Sequence, residues 1–167
     1  MFSLNSCRER RFTLILAVIL AATVGSMAST SAGTDSWYLS LYKSRLNPPS
    51  YVFGIVWPIL YILMMVSAFL THKKIFSIFI IQLILNAAWS WLFFRFQMPL
   101  IALLDIYLPI AINIYILNLM YKERSFLEII LLNRKIRLTK LAFFLFIPYV
   151  VWISFASYLN LFIVINN

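Results

Sequence analysis

The sequence predicts an all-α integral membrane protein, folded as a bundle of five transmembrane helices. Hydrophobic residues make up 63% of the chain and charged residues only 11%, with a mean hydropathy of +0.93. A typical globular domain is about half apolar and a quarter charged. The apolar runs lack the period-two alternation of a β-barrel strand, and three glycines in 167 residues argue against a loop-rich architecture. Helical spans therefore explain the composition.

Five charge-poor segments are long enough to cross a membrane. They lie at about 12–33, 51–71, 75–94, 98–121 and 141–165. Each approaches or exceeds the roughly 20 residues that span about 30 Å of hydrocarbon at 1.5 Å per residue. Two longer connections, 34–50 and 122–140, separate them. Because the sequence shows no internal repeat, no low-complexity tract and no sign of a second domain, we expect a single domain over residues 1–167.

The first segment has a second interpretation as a secretory signal peptide. Arg8, Arg10 and Arg11 precede its apolar run, and the small residues GSMASTSAG follow it at 25–33. A basic start, an apolar centre and small residues at the end are also typical of a cleaved signal. This alternative leaves four spans.

The basic residues are distributed unequally between the two sides of a five-span bundle. Eleven fall on the side of the amino terminus, before helix one, between helices two and three, and between helices four and five. The opposite side holds Lys43, Arg45 and Arg95. Cytoplasmic loops are enriched in Lys and Arg, so the amino terminus is predicted to be cytoplasmic. The net charge of +9 thus reflects membrane flanks, and no nucleic-acid partner is expected.

The sequence offers few residues for ordinary catalysis or metal binding. Cys7 is the only cysteine and His72 the only histidine. A Cys/His metal site and an internal disulfide are therefore not expected. No glycine-rich phosphate loop or Ser/His/Asp set is present, so we predict no metal and no catalytic residue of the usual kinds.

Aromatic residues repeat at helical spacing after the segment NPPSY at 47–51. Phe53, Trp57 and Tyr61 are four residues apart, so they share one face of the second span. Such a stripe is also typical of core packing or of an interfacial belt. The spacing alone therefore leaves both interpretations open.

The third span carries amides and rings on one face, at Gln82, Asn86, Trp89 and Phe93. An amide cannot hydrogen-bond to hydrocarbon, so Asn86 is predicted to face the bundle interior. Its partner there is either another helix or a bound ligand.

The fifth span repeats this arrangement with Pro148, Trp152, Ala156 and Asn160 at intervals of four. Pro148 removes a backbone hydrogen bond and is expected to bend the helix. Ala156 leaves space beside the tryptophan, and a ring-sized gap is predicted there.

Asp105 is the acidic residue that falls within a predicted span. It lies six residues past Pro99, about 9 Å along a helix, and so near one membrane boundary. An intramembrane carboxylate is a candidate functional group, but pairing with Arg95 at the same boundary is an equally good alternative.

Six blocks of sequence, taken together and in order, closely resemble the TspO/MBR family. These are WY at 37–38, PPSYVFGIVWPILY at 48–61, QLILNAAW at 82–89, FF at 93–94, ALLD at 102–105 and PYVVWISFASYLN at 148–160. The family comprises the tryptophan-rich sensory proteins and includes the mitochondrial translocator protein, or peripheral-type benzodiazepine receptor. The blocks cover nearly the whole chain.

The resemblance implies a five-helix bundle, often a homodimer, that binds porphyrins and benzodiazepine-type ligands between its helices and beneath its first long loop. A porphyrin (protoporphyrin or haem) would be a ligand, and no cofactor is required. The location implied is a bacterial cell membrane, or the mitochondrial outer membrane in a eukaryote. Carried over by motif, the ligand-binding residues are Trp37, Phe53, Trp57, Tyr61, Asn86, Trp89, Phe93, Trp152 and Ala156.

Two other functions remain open at this stage. One is an enzyme-like, light-dependent oxidative degradation of protoporphyrin, for which Trp57 and Trp152 would be the candidate electron donors. The other is a packing or assembly subunit without a small ligand. Tyr51 and Met65 depart from the family pattern, where a tryptophan and a glycine are usual, so both bear on the size of the pocket.

Overall fold

A computed structural model describes residues 7–30, 34–130 and 134–167, and no β-strand occurs among them. The elements are α1 (Cys7–Ser29), α2 (Ser36–Ser40), α3 (Ser50–Ser90), a π-helical turn (Trp91–Arg95), α4 (Pro99–Ile130) and α5 (Arg134–Asn166). Five stretches of helix are long and apolar enough to cross a membrane: Arg8–Ser29, Ser50–Thr71, Ile75–Arg95, Pro99–Lys122 and Leu138–Asn166. The prediction of a five-helix membrane bundle is confirmed.

Helix α3 contains one of these spans and most of the next, which ends in the π-helical turn, and the two spans pack against each other. The Tyr61 hydroxyl lies 2.6 Å from Asn86 Oδ1, although 25 residues separate the two. In a straight helix that separation would be about 37 Å at 1.5 Å per residue. The chain therefore reverses direction within α3. We call Ser50–Thr71 the first arm and Ile75–Arg95 the second arm.

A tight turn joins the second arm to α4. Phe96 N–H donates to Trp91 O over five residues, at 2.9 Å, and this bond widens the last helical turn. Gln97 has a φ of 56°, the left-handed conformation that commonly ends a helix. Pro99 then opens α4, where a missing N–H has no consequence.

Each membrane-spanning helix has one face buried in the bundle, and its exposed face is also apolar. The largest buried cluster draws on α1, both arms of α3, α4 and α5, and includes Leu14, Val18, Met64, Phe79, Ile116, Phe146 and Ile153. The outward faces carry large apolar side chains such as Ile59, Ile84, Leu108 and Val151. Apolar side chains on the outside of a helical bundle of this length require a lipid environment. The protein is a multi-pass integral membrane protein.

The connections contain more helix than the sequence suggests. Within the first loop, α2 forms because Asp35 Oδ1 accepts hydrogen bonds from the Trp37 and Tyr38 N–H groups, at 2.8 and 3.2 Å. Helix α4 continues beyond the fourth span to Ile130, and α5 begins at Arg134, so most of the predicted connection 122–140 is helical. Residues 131–133 of that connection lie outside the described residues. Charged residues end a hydrophobic run, but they do not end a helix.

Candidate functional site

A cavity of about 850 Å³ lies between α1 and the two arms of α3. This is within the range of ordinary small-molecule sites, about 300–1,000 Å³. Its lining residues come from α1, α2, α3, the π-helical turn and α5, together with Thr30 just after α1: Ala22, Thr23, Gly25, Ser26, Ser29, Thr30, Tyr38, Ser50, Tyr51, Phe53, Gly54, Trp57, Pro58, Tyr61, Ile62, Trp89, Ser90, Phe94 and Ala156. None of these described residues is charged, so the cavity suits an apolar molecule.

The first arm provides an aromatic wall, because Phe53, Trp57 and Tyr61 all line the cavity. The Trp57 and Tyr61 rings lie 5.7 Å apart at 33°. Their spacing of four residues places them above one another on the cavity face, as the sequence predicts. A flat aromatic ligand would find stacking partners along this wall.

Asn86 lies one layer behind this wall. It is only 6% exposed and is not a lining residue. The Tyr61 hydroxyl donates to Asn86 Oδ1 at 2.6 Å, and Asn86 Nδ2 donates to the Tyr149 hydroxyl at 3.0 Å. The Tyr149 hydroxyl in turn donates to Gln82 Oε1 at 3.0 Å. Asn86 thus joins helices in the bundle core and reaches the cavity only through Tyr61.

The residues predicted from the WY and FF motifs are displaced by one position. Tyr38 and Phe94 line the cavity, whereas Trp37 and Phe93 pack against each other with ring centroids 5.8 Å apart. Phe93 is 3% exposed and stacks on Trp89 at 5.3 Å. Trp89 itself lines the cavity. In each of the WY and FF motifs, one residue lines the cavity and the other packs between the first loop and the second arm.

Only one of the two predicted residues of α5 lines the cavity. Ala156 is a lining residue, and its small side chain leaves the space that the sequence predicts. Trp152 is not; its ring lies edge-on to Phe53 at 5.8 Å. Its Nε1 is buried and has no hydrogen-bond partner among the described residues. The photo-oxidative alternative therefore has Trp57 in the wall and Trp152 one ring behind it.

The first loop is held in place by contacts with α5 and with Asn167, the residue that follows α5. Tyr42 N–H donates to Asn167 Oδ1 at 2.8 Å, and Asn167 Nδ2 donates back to Tyr42 O at 3.2 Å. Close by, the Ser44 and Tyr158 hydroxyls lie 3.2 Å apart. The loop is thus tied to α5 at two places, while Tyr38 lines the cavity.

Lys43 is the basic residue of this loop that lies against a lining residue. Its Nζ is 4.5 Å from the centre of the Tyr38 ring and donates to Leu39 O and Leu41 O, at 3.4 and 3.2 Å. Partial burial lowers the pKa of Lys43 below its usual value. Burial also raises the pKa of Tyr38, against the smaller effect of a hydrogen bond with the Asn47 side chain. A cation is therefore held beside the cavity rather than inside it.

Comparison with known proteins identifies the architecture. The sequence pattern that defines the TspO/MBR family matches residues 13–165. The chain belongs to the TspO/MBR family. It is 32% identical to the tryptophan-rich protein TspO of Archaeoglobus fulgidus over 161 residues, covering 92% of this chain and 94% of the relative. It is 37% identical to the protein of the same name from Chlorobaculum tepidum, covering 89% of this chain and 91% of that one. A tryptophan-rich sensory protein of Cereibacter sphaeroides is 28% identical, with 87% of each chain covered.

The match to the TspO/MBR family covers most of α1, since it starts at residue 13. Leu14 and Val18 lie in the core. The last turns of α1 line the cavity with Ala22, Gly25 and Ser26. Reasoning from the sequence counted this segment as the first span but missed these lining residues, because it considered the small residues 25–33 only for the signal-peptide alternative. Their spacing of three and four along a helix was the available signal, because small side chains on one helical face allow space or close approach.

The two departures from the TspO/MBR pattern have different surroundings. Tyr51 is 70% exposed and lines the cavity. Met65 packs against the main core and is not a lining residue. Of the two, Tyr51 is therefore the one that bears directly on the size of the cavity.

Asp105 lies away from the cavity lining in this TspO/MBR fold. Its Oδ2 is buried and accepts no hydrogen bond from any described residue. The described residues show no ion pair between Asp105 and Arg95, so the structure does not support the pairing alternative. A functional role for Asp105 stays a prediction.

The cavity opens sideways between α1 and the first arm. Thr23, Ser26 and Thr30 on one edge are exposed, as are Gly54 and Pro58 on the other. Except for Thr30, these residues belong to the membrane spans Arg8–Ser29 and Ser50–Thr71, so their exposed sides face lipid. The opening therefore leads towards the bilayer.

Proposed function

We propose that this protein is a membrane receptor, sensor or carrier that binds porphyrins, such as protoporphyrin or haem, and benzodiazepine-type ligands in the cavity between α1 and α3. A sensory role agrees with the name of the relative from Cereibacter sphaeroides. The observation that carries the proposal is an uncharged, ring-lined cavity of about 850 Å³. Flat aromatic molecules fit such a wall, because each stacked or edge contact adds about 0.5–1.5 kcal/mol beyond burial.

The carboxylates of a porphyrin require a different environment from its ring. Ionised groups are expensive to bury without a partner. Lys43, held against Tyr38 at 4.5 Å, supplies a positive charge beside the cavity. We therefore place the macrocycle along Phe53, Trp57 and Tyr61, with its propionates towards the first loop.

A titration with protoporphyrin tests this proposal. Purified protein in detergent should bind protoporphyrin saturably, with a shift of the porphyrin absorption band and quenching of tryptophan fluorescence. Gly54→Leu should weaken binding at least tenfold, because a Cβ on Gly54 meets no atom within 4 Å and the longer side chain would occupy the cavity. The helix itself should tolerate leucine better than glycine, by about 1 kcal/mol.

Gly54→Ala is the matched control for this variant. It gives nearly the same gain in helix propensity but fills little of the cavity, so its affinity should stay close to that of the wild type. Unchanged protoporphyrin binding in Gly54→Leu would show that the ligand sits elsewhere. Absence of saturable binding in the wild type would reject the proposed function.

The orientation and assembly belong to the same proposal. The excess of basic residues on one side supports an amino terminus in the cytoplasm of a bacterial cell. A homodimer is the assembly that the family resemblance implies. The cavity is formed by one chain, so ligand binding in it depends neither on the orientation nor on a dimer.

A further inference from the structure

The first arm contains a proline at the cavity wall, and it changes the hydrogen bonding of the backbone there. Pro58 lies inside α3, four residues after Gly54, and both residues line the cavity. In an α-helix the N–H of residue 58 would donate to the carbonyl oxygen of residue 54. Proline has no N–H, so this bond is missing. The carbonyl of Gly54, a lining residue, thus loses its regular helical donor.

The space beside the Gly54 Cα is open. Gly54 has no side chain, and a Cβ built on it would meet no atom within 4 Å. Both residues lie within the span Ser50–Thr71, on the edge of the cavity that opens towards the bilayer. A buried or lipid-facing carbonyl without a donor is unfavourable. A ligand that brings an N–H or O–H would remove that penalty.

The opposite wall has a similar bias towards accepting hydrogen bonds. The hydroxyls of Thr23, Ser26 and Ser29 donate to carbonyls of their own helix, at 2.6, 2.8 and 3.2 Å. The Tyr61 hydroxyl donates to Asn86. Each of these groups has committed its hydrogen, so it offers the cavity only lone pairs.

We propose that the Gly54 carbonyl, left without a helical donor by Pro58, is a hydrogen-bond acceptor site that selects apolar ligands bearing a peripheral N–H or O–H group. This proposal deepens the proposed function, because it concerns ligand choice in the same cavity. It predicts that, among ligands of equal shape, the one with a donor on its rim binds more tightly. The hydroxyls of α1 and Tyr61 extend the same preference.

Two flat tricyclic probes, carbazole and N-methylcarbazole, test the proposal. They differ in one N–H group, and the methyl analogue is slightly more apolar. The wild-type protein should bind carbazole roughly two- to tenfold more tightly than N-methylcarbazole, the range expected of one hydrogen bond. Competition with bound protoporphyrin, followed by porphyrin absorption, gives both affinities in one preparation.

Pro58→Ala supplies the missing N–H and should therefore abolish the difference between the two probes while still binding N-methylcarbazole. Pro148→Ala is the matched control, since Pro148 also lies inside a membrane helix and is exposed but does not line the cavity. This control should keep the wild-type preference. Equal affinities in the wild type, or a preference that persists in Pro58→Ala, would overturn the acceptor site.

The outcomes separate this inference from the function on which it rests. If protoporphyrin binds and neither tricycle competes, the acceptor site is overturned while the proposed function stands. If protoporphyrin does not bind either, both are rejected. A preference for carbazole that disappears only in Pro58→Ala supports both.

Discussion

The Tyr61 hydroxyl donates to Asn86 Oδ1 over 2.6 Å, and this bond links the cavity wall to the polar centre of the bundle. Beyond Asn86 the hydrogen bonds continue through Tyr149 to Gln82, and Asn113 Nδ2 lies 3.4 Å from Gln82 Oε1. The bonded groups come from both arms of α3, from α4 and from α5. A change at Tyr61 therefore acts on helix packing as well as on the cavity.

Replacing Asn86 with leucine should destabilise the protein. Reasoning from the sequence alone predicts tolerance, because leucine is similar in size and more apolar. The structure changes that expectation, since Asn86→Leu leaves the half-buried Tyr61 hydroxyl and the buried Tyr149 hydroxyl each without one partner. We expect a loss of about 1–3 kcal/mol in unfolding free energy, measured by thermal or denaturant unfolding in detergent.

Tyr61→Phe is the control, because it removes the same bond from the cavity side and leaves the Asn86–Tyr149 bond in place. It should cost less, about 0.5–1.5 kcal/mol. An Asn86→Leu protein as stable as the wild type would mean that these bonds contribute little to the bundle.

The ring of Trp57 should contribute strongly to porphyrin binding. Trp57→Ala removes a lining ring that packs with Tyr61 at 5.7 Å, so affinity should fall at least tenfold. Trp57→Phe keeps an aromatic surface, so its porphyrin affinity should stay within about threefold of the wild-type value. Fluorescence titration with protoporphyrin gives both values. Wild-type affinity in Trp57→Ala would leave the aromatic stripe as helix packing.

The contact between the first loop and α5 should respond to a single side chain. Asn167→Ala removes both hydrogen bonds to the Tyr42 backbone, so amide exchange at Tyr42 should become faster. Asn166→Ala is the control, because that side chain bonds only to its own helix at Phe162 O. Hydrogen-exchange mass spectrometry of the loop peptide compares the two. Equal exchange in both variants would contradict a loop held by Asn167.

The orientation in the membrane can be tested with cysteines in a Cys7→Ser background. Ser40→Cys, at an exposed position in α2, should react with a membrane-impermeant maleimide added to intact cells. Ser125→Cys should react only after permeabilisation, because the basic segment 122–140 is predicted to be cytoplasmic. Labelling of Ser125→Cys in intact cells would reverse the orientation.

The sequence was sufficient for the five spans, because each is a long charge-poor segment and a bilayer requires helices there. It also placed Phe53, Trp57 and Tyr61 on one face through their spacing of four. It could not show that Asn86 lies behind Tyr61, since an amide facing the interior can bond to a helix or to a ligand. It also missed the α1 wall, because the spacing of Ala22, Gly25 and Ser26 marks a face of small side chains but does not show whether a cavity or another helix lies against it.

The side opening between α1 and the first arm has a consequence for how any affinity is measured. A compound that reaches the cavity from the bilayer first partitions into lipid, so an affinity expressed against its aqueous concentration includes that partition equilibrium. Lipid chains or detergent tails can occupy the same opening at very high local concentration, and any such competitor raises the apparent Kd by mass action. Affinities from different detergents or vesicles become comparable only after correction for partitioning, and a ranking of ligands by aqueous Kd would largely rank their oil–water partition coefficients.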